Sequence, residues 1–253
     1  MTEFIGIIPA RYASTRFPGK PLAEIGGVPM VVRVCEQAAK VLDKVYVATD
    51  SQLIADKVRE YGYNAVLTSD RHKTGTDRIA EAAEKIGGEA DVVINIQGDE
   101  PFVDPGQIRG VMKCFDDPQT DIATLARPFK KEDGTEAVMN PNKVKVVFAP
   151  NGMALYFSRS PIPYLRGVDP ENWLEKQDYF IHVGMYAYRK DILKKISALG
   201  QTPLELSESL EQLRWLENGY KIKVAKTDSP TIGIDTPEDL ENARRFFEEN
   251  VGK

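Results

Sequence analysis

Apolar residues fall along this chain in two alternating rhythms. Short apolar runs at residues 4–8, 45–48, 65–68 and 92–96 read as strands, and the stretches between them repeat apolar positions at helical spacing. Residues 29–40 (PMVVRVCEQAAK) form the first helix, with Pro29 suited to its first turn. Residues 51–61 place Leu53, Ile54, Val58 and Tyr61 at helical spacing before Gly62, and residues 76–86 make a third helix that stops at Gly87 and Gly88. Asp104 and Pro105 then open a fourth, with Ile108, Val111, Met112 and Phe115 on one face. Strands joined by helical crossovers of this length imply a mostly parallel sheet covered on both sides. Ligands of such sheets bind at the carboxyl ends of the strands, which gives weight to three exits: Pro9-Ala10-Arg11, Thr49-Asp50 and Gln97-Gly98-Asp99.

The second half changes character. Residues 143–148 and 153–157 flank an Asn151-Gly152 step and predict a hairpin, and residues 183–188 and 222–226 read as further strands. A helix is expected at 207–217. The run 231–234 reads as a strand that delivers Asp235 to the start of a last helix, with Thr236 as its cap and Pro237, Glu238 and Asp239 in its first turn. There is no clean linker and no repeat. The expected fold is a single α/β domain, residues 1–253, with a mixed, mostly parallel central sheet and a β-rich insertion at 128–188.

Charge narrows the function. The 253-residue chain carries a net charge of -5, which disfavours nucleic-acid backbones and anionic membrane surfaces as partners. The N-terminus lacks a basic leader, and no apolar run approaches the roughly 20 residues of a membrane span, so a cytoplasmic protein is expected. Cys35 and Cys114 sit among apolar neighbours and read as buried, reduced thiols. With two histidines, His72 and His182, a histidine-rich metal cluster is excluded, so any metal would take oxygen ligands.

Within this acidic chain the loop after the first strand holds Arg11, Arg16 and Lys20, a local anion site in prospect. It is not a Walker loop, since Ser14 and Pro21 stand where Gly and Ser or Thr are needed, and it has no Gly-x-Gly-x-x-Gly. Side-chain cations must therefore hold the phosphate, unless the loop is simply solvated. Asp99 suits Mg2+ held against a polyphosphate, with a turn acid before Pro101 as the plain alternative. Asp235 repeats that logic, against a helix-entry acid favoured by the dipole. Arg78 opens the third helix and could face an anion or pair with Glu81 or Glu84; His182, among apolar neighbours, reads as structural or as a sugar contact. A cationic loop with strand-exit carboxylates suits phosphoryl or nucleotidyl transfer assisted by magnesium.

These residues lie in stretches that resemble one family in order along nearly the whole chain: IIPARYASTRFPGKPL, VATD, TGTDRIAE, NIQGDEPF, NKVKVV, ALYFSRSPIPY, HVGMYAYR, SLEQLRWLENG and GIDTPEDLE. The chain resembles the 3-deoxy-manno-octulosonate (Kdo) cytidylyltransferases, or CMP-Kdo synthetases. That resemblance implies a nucleotidyltransferase fold related to glycosyltransferase A, usually dimeric through the inserted region. It implies CTP and Kdo as substrates, CMP-Kdo and pyrophosphate as products for lipopolysaccharide synthesis, and Mg2+ as cofactor. It places Pro9, Ala10, Arg11, Arg16, Lys20, Thr74, Gly75, Arg78 and Gln97 on the nucleotide, and Asp99 and Asp235 on the metal. Lys20, Arg16, Asp99 and Asp235 become the catalytic set, and Gln97, Arg159, His182, Tyr186, Glu211 and Gln212 the sugar side. A sialic acid or 8-amino-Kdo as acceptor stays open, as does a glycosyltransferase on the same fold.

Overall fold

A computed structural model describes residues 2–13, 17–72 and 74–250. It has the mixed α/β fold with a mostly parallel central sheet that the strand pattern predicts. In chain order the strands are β1 (Phe4–Ala10), β2 (Glu24–Ile25), β3 (Val28–Pro29), β4 (Val45–Thr49), β5 (Asn64–Leu67) and β6 (Val92–Asn95), then β7 (Ile122–Pro128), β8 (Lys145–Phe148), β9 (Ala154–Ser158), β10 (Phe180–Arg189) and β11 (Ile222–Lys226). The helices are α1 (Met30–Ala38), α2 (Gln52–Glu60), α3 (Gly75–Ile86), α4 (Pro105–Lys113) and α5 (Gly134–Met139), then α6 (Trp173–Lys176), α7 (Lys190–Ser197), α8 (Pro203–Glu208), α9 (Glu211–Glu217) and α10 (Pro237–Asn250). Among the described residues no helix is long and apolar enough to cross a membrane.

Two compact units divide the chain: Met1–Arg109 with Arg189–Ser197 and Thr231–Lys253, and Gly110–Tyr188 with Ala198–Pro230. In the first, β1 lies between β4 and β6, and β5 pairs with β4, all parallel. Ile5, Ile7, Ile8, Val47, Val92, Val93 and Ile94 are buried, as expected of strands covered on both faces. The strand β1 runs two residues further than the apolar pattern suggests, through Pro9 to Ala10. The Ile7 carbonyl accepts from Ile96 N–H at 3.1 Å, so alternate residues 7 and 9 address the β6 side, and β6 ends at Asn95. Pro9 thus falls where no ladder bond calls for its missing N–H.

In the second unit β7 pairs in parallel with β11 and antiparallel with β10, and the expected hairpin is present as β8 and β9. The pattern did not point to β7. Its residues Ile122, Ala123, Leu125 and Ala126 are buried, but two alanines in seven residues weaken the strand signal. The helix expected at 207–217 is two helices. Ser209 takes a left-handed conformation (φ 51°) between α8 and α9, and Arg214 of α9 grips the Glu205 carboxylate of α8 through Nε at 2.7 Å and Nη2 at 2.5 Å.

Both partners of that pair are buried, and the Arg214 hydrogen bond holds the Glu205 carboxyl below its ordinary value of 4.5. Arg214→Met, which strands the carboxylate, is expected to cost about 3–5 kcal/mol in urea unfolding at pH 7. A depressed carboxyl stabilises the fold above its unfolded pKa and loses that contribution as pH falls through the folded one. The gap between wild type and variant should therefore shrink below about pH 4.5. A pH-independent gap would place the effect in packing.

Candidate active site

All described nucleotide-side and metal-side candidates lie in the first unit and line two cavities. One, of about 200 Å³, is bounded by Pro9, Ala10, Arg11, His72, Thr74, Gly75 and Arg78. The other, of about 260 Å³, is bounded by Pro9, Ala10, Arg11, Lys20, Pro21, Gln97, Gly98, Asp99 and Asp235. Pro9, Ala10 and Arg11, the β1 exit, belong to both. Arg16 lies outside the described residues.

The second cavity contains a charge cluster that spacing alone does not reveal. Lys20 Nζ donates to Asp99 Oδ2 at 2.8 Å, to the Ile234 carbonyl at 2.8 Å and to Asp235 Oδ1 at 3.3 Å. Each member is positioned by its own piece of local structure. Gly19, left-handed at φ 71°, donates its N–H to Tyr12 O at 3.0 Å and turns the chain into Lys20. Asp99 follows Gly98, where a Cβ would stand 2.7 Å from the Pro9 carbonyl oxygen; the glycine admits a neighbouring backbone rather than a ligand. Residues 231–234 form no strand, which corrects the expected strand exit at Asp235. Instead Ile234 is buried with Ile25, Met30, Leu240 and Ala243, and its N–H donates to Asp99 O at 3.0 Å. Asp239 then fixes the next turn by accepting from Asp235 N at 3.0 Å and from Thr236 N and Oγ1, both at 2.9 Å, while Thr236 caps α10 as predicted.

The donor set fits a hard divalent cation. Two carboxylate oxygens and a carbonyl oxygen converge on one positive group, here the Lys20 ammonium, and Mg2+ commonly takes one or two carboxylates together with substrate phosphates. Among the described residues no group of three or more His, Cys, Asp or Glu could hold a metal, so substrate oxygens would have to complete the shell. Beside Asp99, burial and then the Asp99 charge push the Glu100 carboxyl up to about 7.

The first cavity is built on the N-terminus of α3. Thr74 caps that helix by accepting from Asp77 N at 3.1 Å. Arg78 does not pair with Glu81 or Glu84 as its helix position suggested. It is buried and donates to Asp50 Oδ2 and Thr68 Oγ1, both at 2.7 Å, tying the exits of β4 and β5 to α3. Asp50 was visible as a strand-exit acid; its pairing to Arg78 was not.

Of the sugar-side candidates in the second unit, His182 and Tyr186 lie on β10, Glu211 and Gln212 on α9, and Arg159 just after β9. A bulge between Val183 and Tyr186 shifts the β10 register, and Thr124 Oγ1, within 3.0 Å of His182 Nε2, also donates to Met185 O at 2.9 Å. Burial lowers the His182 pKa to about 4, so the ring is neutral at pH 7 and stands edge-on to Phe157. Burial, then Tyr188 and Glu211, raise the Tyr186 phenol above its ordinary value, and its ring meets Trp215 edge-on at 5.1 Å. Glu211 opens α9 with the buried Gln212 beside it. Arg159 donates to three backbone carbonyls, Glu208 at 2.6 Å, Pro141 at 3.0 Å and Ser209 at 3.3 Å, while Glu208 accepts from Arg159 N at 2.9 Å and Ser158 Oγ at 2.6 Å. The buried Lys145, which the sequence did not single out, donates to the Asn140 and Arg159 carbonyls. Cys35 and Cys114 are buried free thiols, pushed up by burial to about 12 and about 11.

Known proteins resemble this chain along its whole length. Residues 5–222 match the cytidylyltransferase family. A 3-deoxy-manno-octulosonate cytidylyltransferase of Phocaeicola vulgatus is 56% identical over 99% of this chain and 100% of its own. One of Parabacteroides distasonis is 58% identical over 98% of this chain and 99% of its own. A solved CMP:2-keto-3-deoxy-manno-octonic acid synthetase complexed with CTP superposes with a TM-score of 0.89 at 40% identity, covering 99% of this chain and 100% of the other.

Proposed function

The chain belongs to the cytidylyltransferase family, and from that premise we propose that it transfers CMP from CTP to the anomeric hydroxyl of Kdo, giving CMP-Kdo and releasing pyrophosphate. The observation that carries the reading is the convergence of Lys20, Asp99 and Asp235 at one cavity beside the β1 exit. In this reading the cavity at the N-terminus of α3 takes the nucleoside end of CTP, and the cavity at Lys20 takes its phosphates. The protein acts in the cytoplasm as a homodimer and uses Mg2+.

Reaction is in-line attack of the sugar hydroxyl on the α-phosphorus, with pyrophosphate leaving from the opposite side. Lys20 and Arg11 meet the negative charge of the phosphates, and Lys20 stabilises the charge that develops on the leaving group. Asp99 and Asp235 would hold Mg2+, which would screen the repulsion between the two anionic substrates and make the attacking hydroxyl more acidic. Gln97, with both donor and acceptor atoms, orients substrate at the second cavity. No side chain needs to form a covalent intermediate.

Pyrophosphate release with CTP and a panel of acceptors tests the reading. Kdo is expected to support turnover well above 8-amino-Kdo and sialic acid. Turnover with sialic acid alone would overturn the Kdo assignment, and consumption of a sugar nucleotide without pyrophosphate release would make the chain a glycosyltransferase.

A further inference from the structure

Glu81 lies in the second turn of α3 and is used by no step of the reaction, yet it gathers three partners. Its Oε2 accepts from Ser69 N–H at 2.8 Å and meets His72 Nε2 in a short hydrogen bond, and its Oε1 pairs with Lys85 Nζ at 2.7 Å. Lys85 in turn donates to the Leu67 carbonyl at 2.8 Å. Three consecutive points of the chain leaving β5, at residues 67, 69 and 72, are thereby fastened to one carboxylate and its lysine on α3. His72 is a wall of the roughly 200 Å³ cavity that also holds Thr74, Gly75 and Arg11.

We infer that Glu81 is a positioning residue for the nucleotide site: by holding Ser69 N–H and His72 it fixes the wall of that cavity and so sets the affinity for CTP. This rests on the reading of that cavity as the nucleoside site. Three features separate the role from plain structural support. Glu81 and His72 also border a cavity of about 560 Å³ between α3 and α7, with Asp77, Glu84, Lys190 and Lys194, so shortening Glu81 opens space to solvent and leaves no void in the core. Against partial burial, which opposes it, hydrogen bonds from Lys85, Ser69 and His72 hold the Glu81 carboxyl down at about 2, so it stays charged toward these partners throughout the working range. Finally, Glu81 does not line the cavity that holds Asp99 and Asp235, so the group at the reacting phosphate should not move.

The consequence is a separation of kinetic constants. A residue that shapes nucleotide binding alike in ground and transition states changes KM and leaves kcat in place. Glu81→Ala removes two hydrogen bonds to the wall and is expected to raise the KM for CTP about tenfold, with kcat within about threefold and the KM for Kdo unchanged. Glu81→Gln keeps an acceptor for Ser69 N–H and should recover most of the loss. Lys85→Ala, which leaves both wall contacts in place, should stay within about twofold of wild type. Steady-state kinetics and calorimetric titration with CTP read all three. Wild-type affinity in a folded Glu81→Ala protein overturns the inference, as does a fall confined to kcat. If Glu81→Ala does not fold, a several-fold shift in the KM for CTP in Lys85→Ala that exceeds any shift in Glu81→Gln overturns it, since both wall contacts remain in Lys85→Ala. A wild-type protein that turns over without binding CTP would overturn the nucleotide reading itself, a different result from wild-type binding that is indifferent to Glu81.

Discussion

Asp99→Asn lowers turnover by roughly a thousandfold or more at saturating CTP, Kdo and Mg2+, while the melting temperature moves by only a few degrees. The substitution keeps the side chain's shape and removes its charge. In the folded protein Asp99 is one-third exposed and accepts from Lys20 at 2.8 Å, so the asparagine oxygen can retain that contact and the fold loses little. A metal would lose one of two carboxylates, and with it the several kcal/mol of charge stabilisation that a Lewis acid supplies at a phosphoryl group. The loss should not be recovered by raising CTP, since it lies in the chemical step. Near-normal activity at ordinary Mg2+ would remove Asp99 from the metal site and leave it as a turn acid before Pro101. A large fall in melting temperature with activity lost in proportion would assign it to folding.

The sequence made the first unit legible because its strands are uninterrupted apolar runs that end in distinctive exits, and the exits are where the cavities are. Pro9 to Arg11 and Gln97 to Asp99 line them as the parallel-sheet rule requires. What it could not show was which exits meet. Asp99 and Asp235 are 136 positions apart, and the pairing of Ile234 N–H with Asp99 O depends on burial of Ile234 under α10, which no local pattern encodes. The same limit hid Arg78 with Asp50 and Glu81 with Ser69 and His72, since helix spacing offers Arg78 nearer partners on its own face. In the second unit the alternation was weaker. The pattern passed over β7, with its small alanines, and Ser209 broke a helix where no glycine or proline marks the break. Apart from His182, the sugar-side residues of this unit were named through family resemblance, and the structure gives them a setting of bulge, aromatic edges and buried polar groups that composition does not announce.

Lys20→Met is the second large effect, and it splits into two opposite changes. Turnover should fall by about a hundred- to a thousandfold, because a preorganised positive group at the developing charge of the leaving pyrophosphate is lost. Metal affinity should move the other way. The Lys20 ammonium lies against both carboxylates and the Ile234 carbonyl, and its side chain is only 16% exposed, so any divalent cation must compete with an internal one. Methionine has similar length without the charge, and the two acids then lose the cation that lies between them. Mn2+ titrated into the nucleotide-free protein and followed by electron paramagnetic resonance should bind the variant several-fold more tightly than wild type. In wild type the triphosphate supplies an alternative partner for Lys20, so CTP and Mn2+ should strengthen one another's binding, and that coupling should shrink in Lys20→Met. Equal Mn2+ affinity in the two proteins would mean that Lys20 does not guard the carboxylates. Loss of turnover with unchanged metal binding would then confine its role to the phosphates.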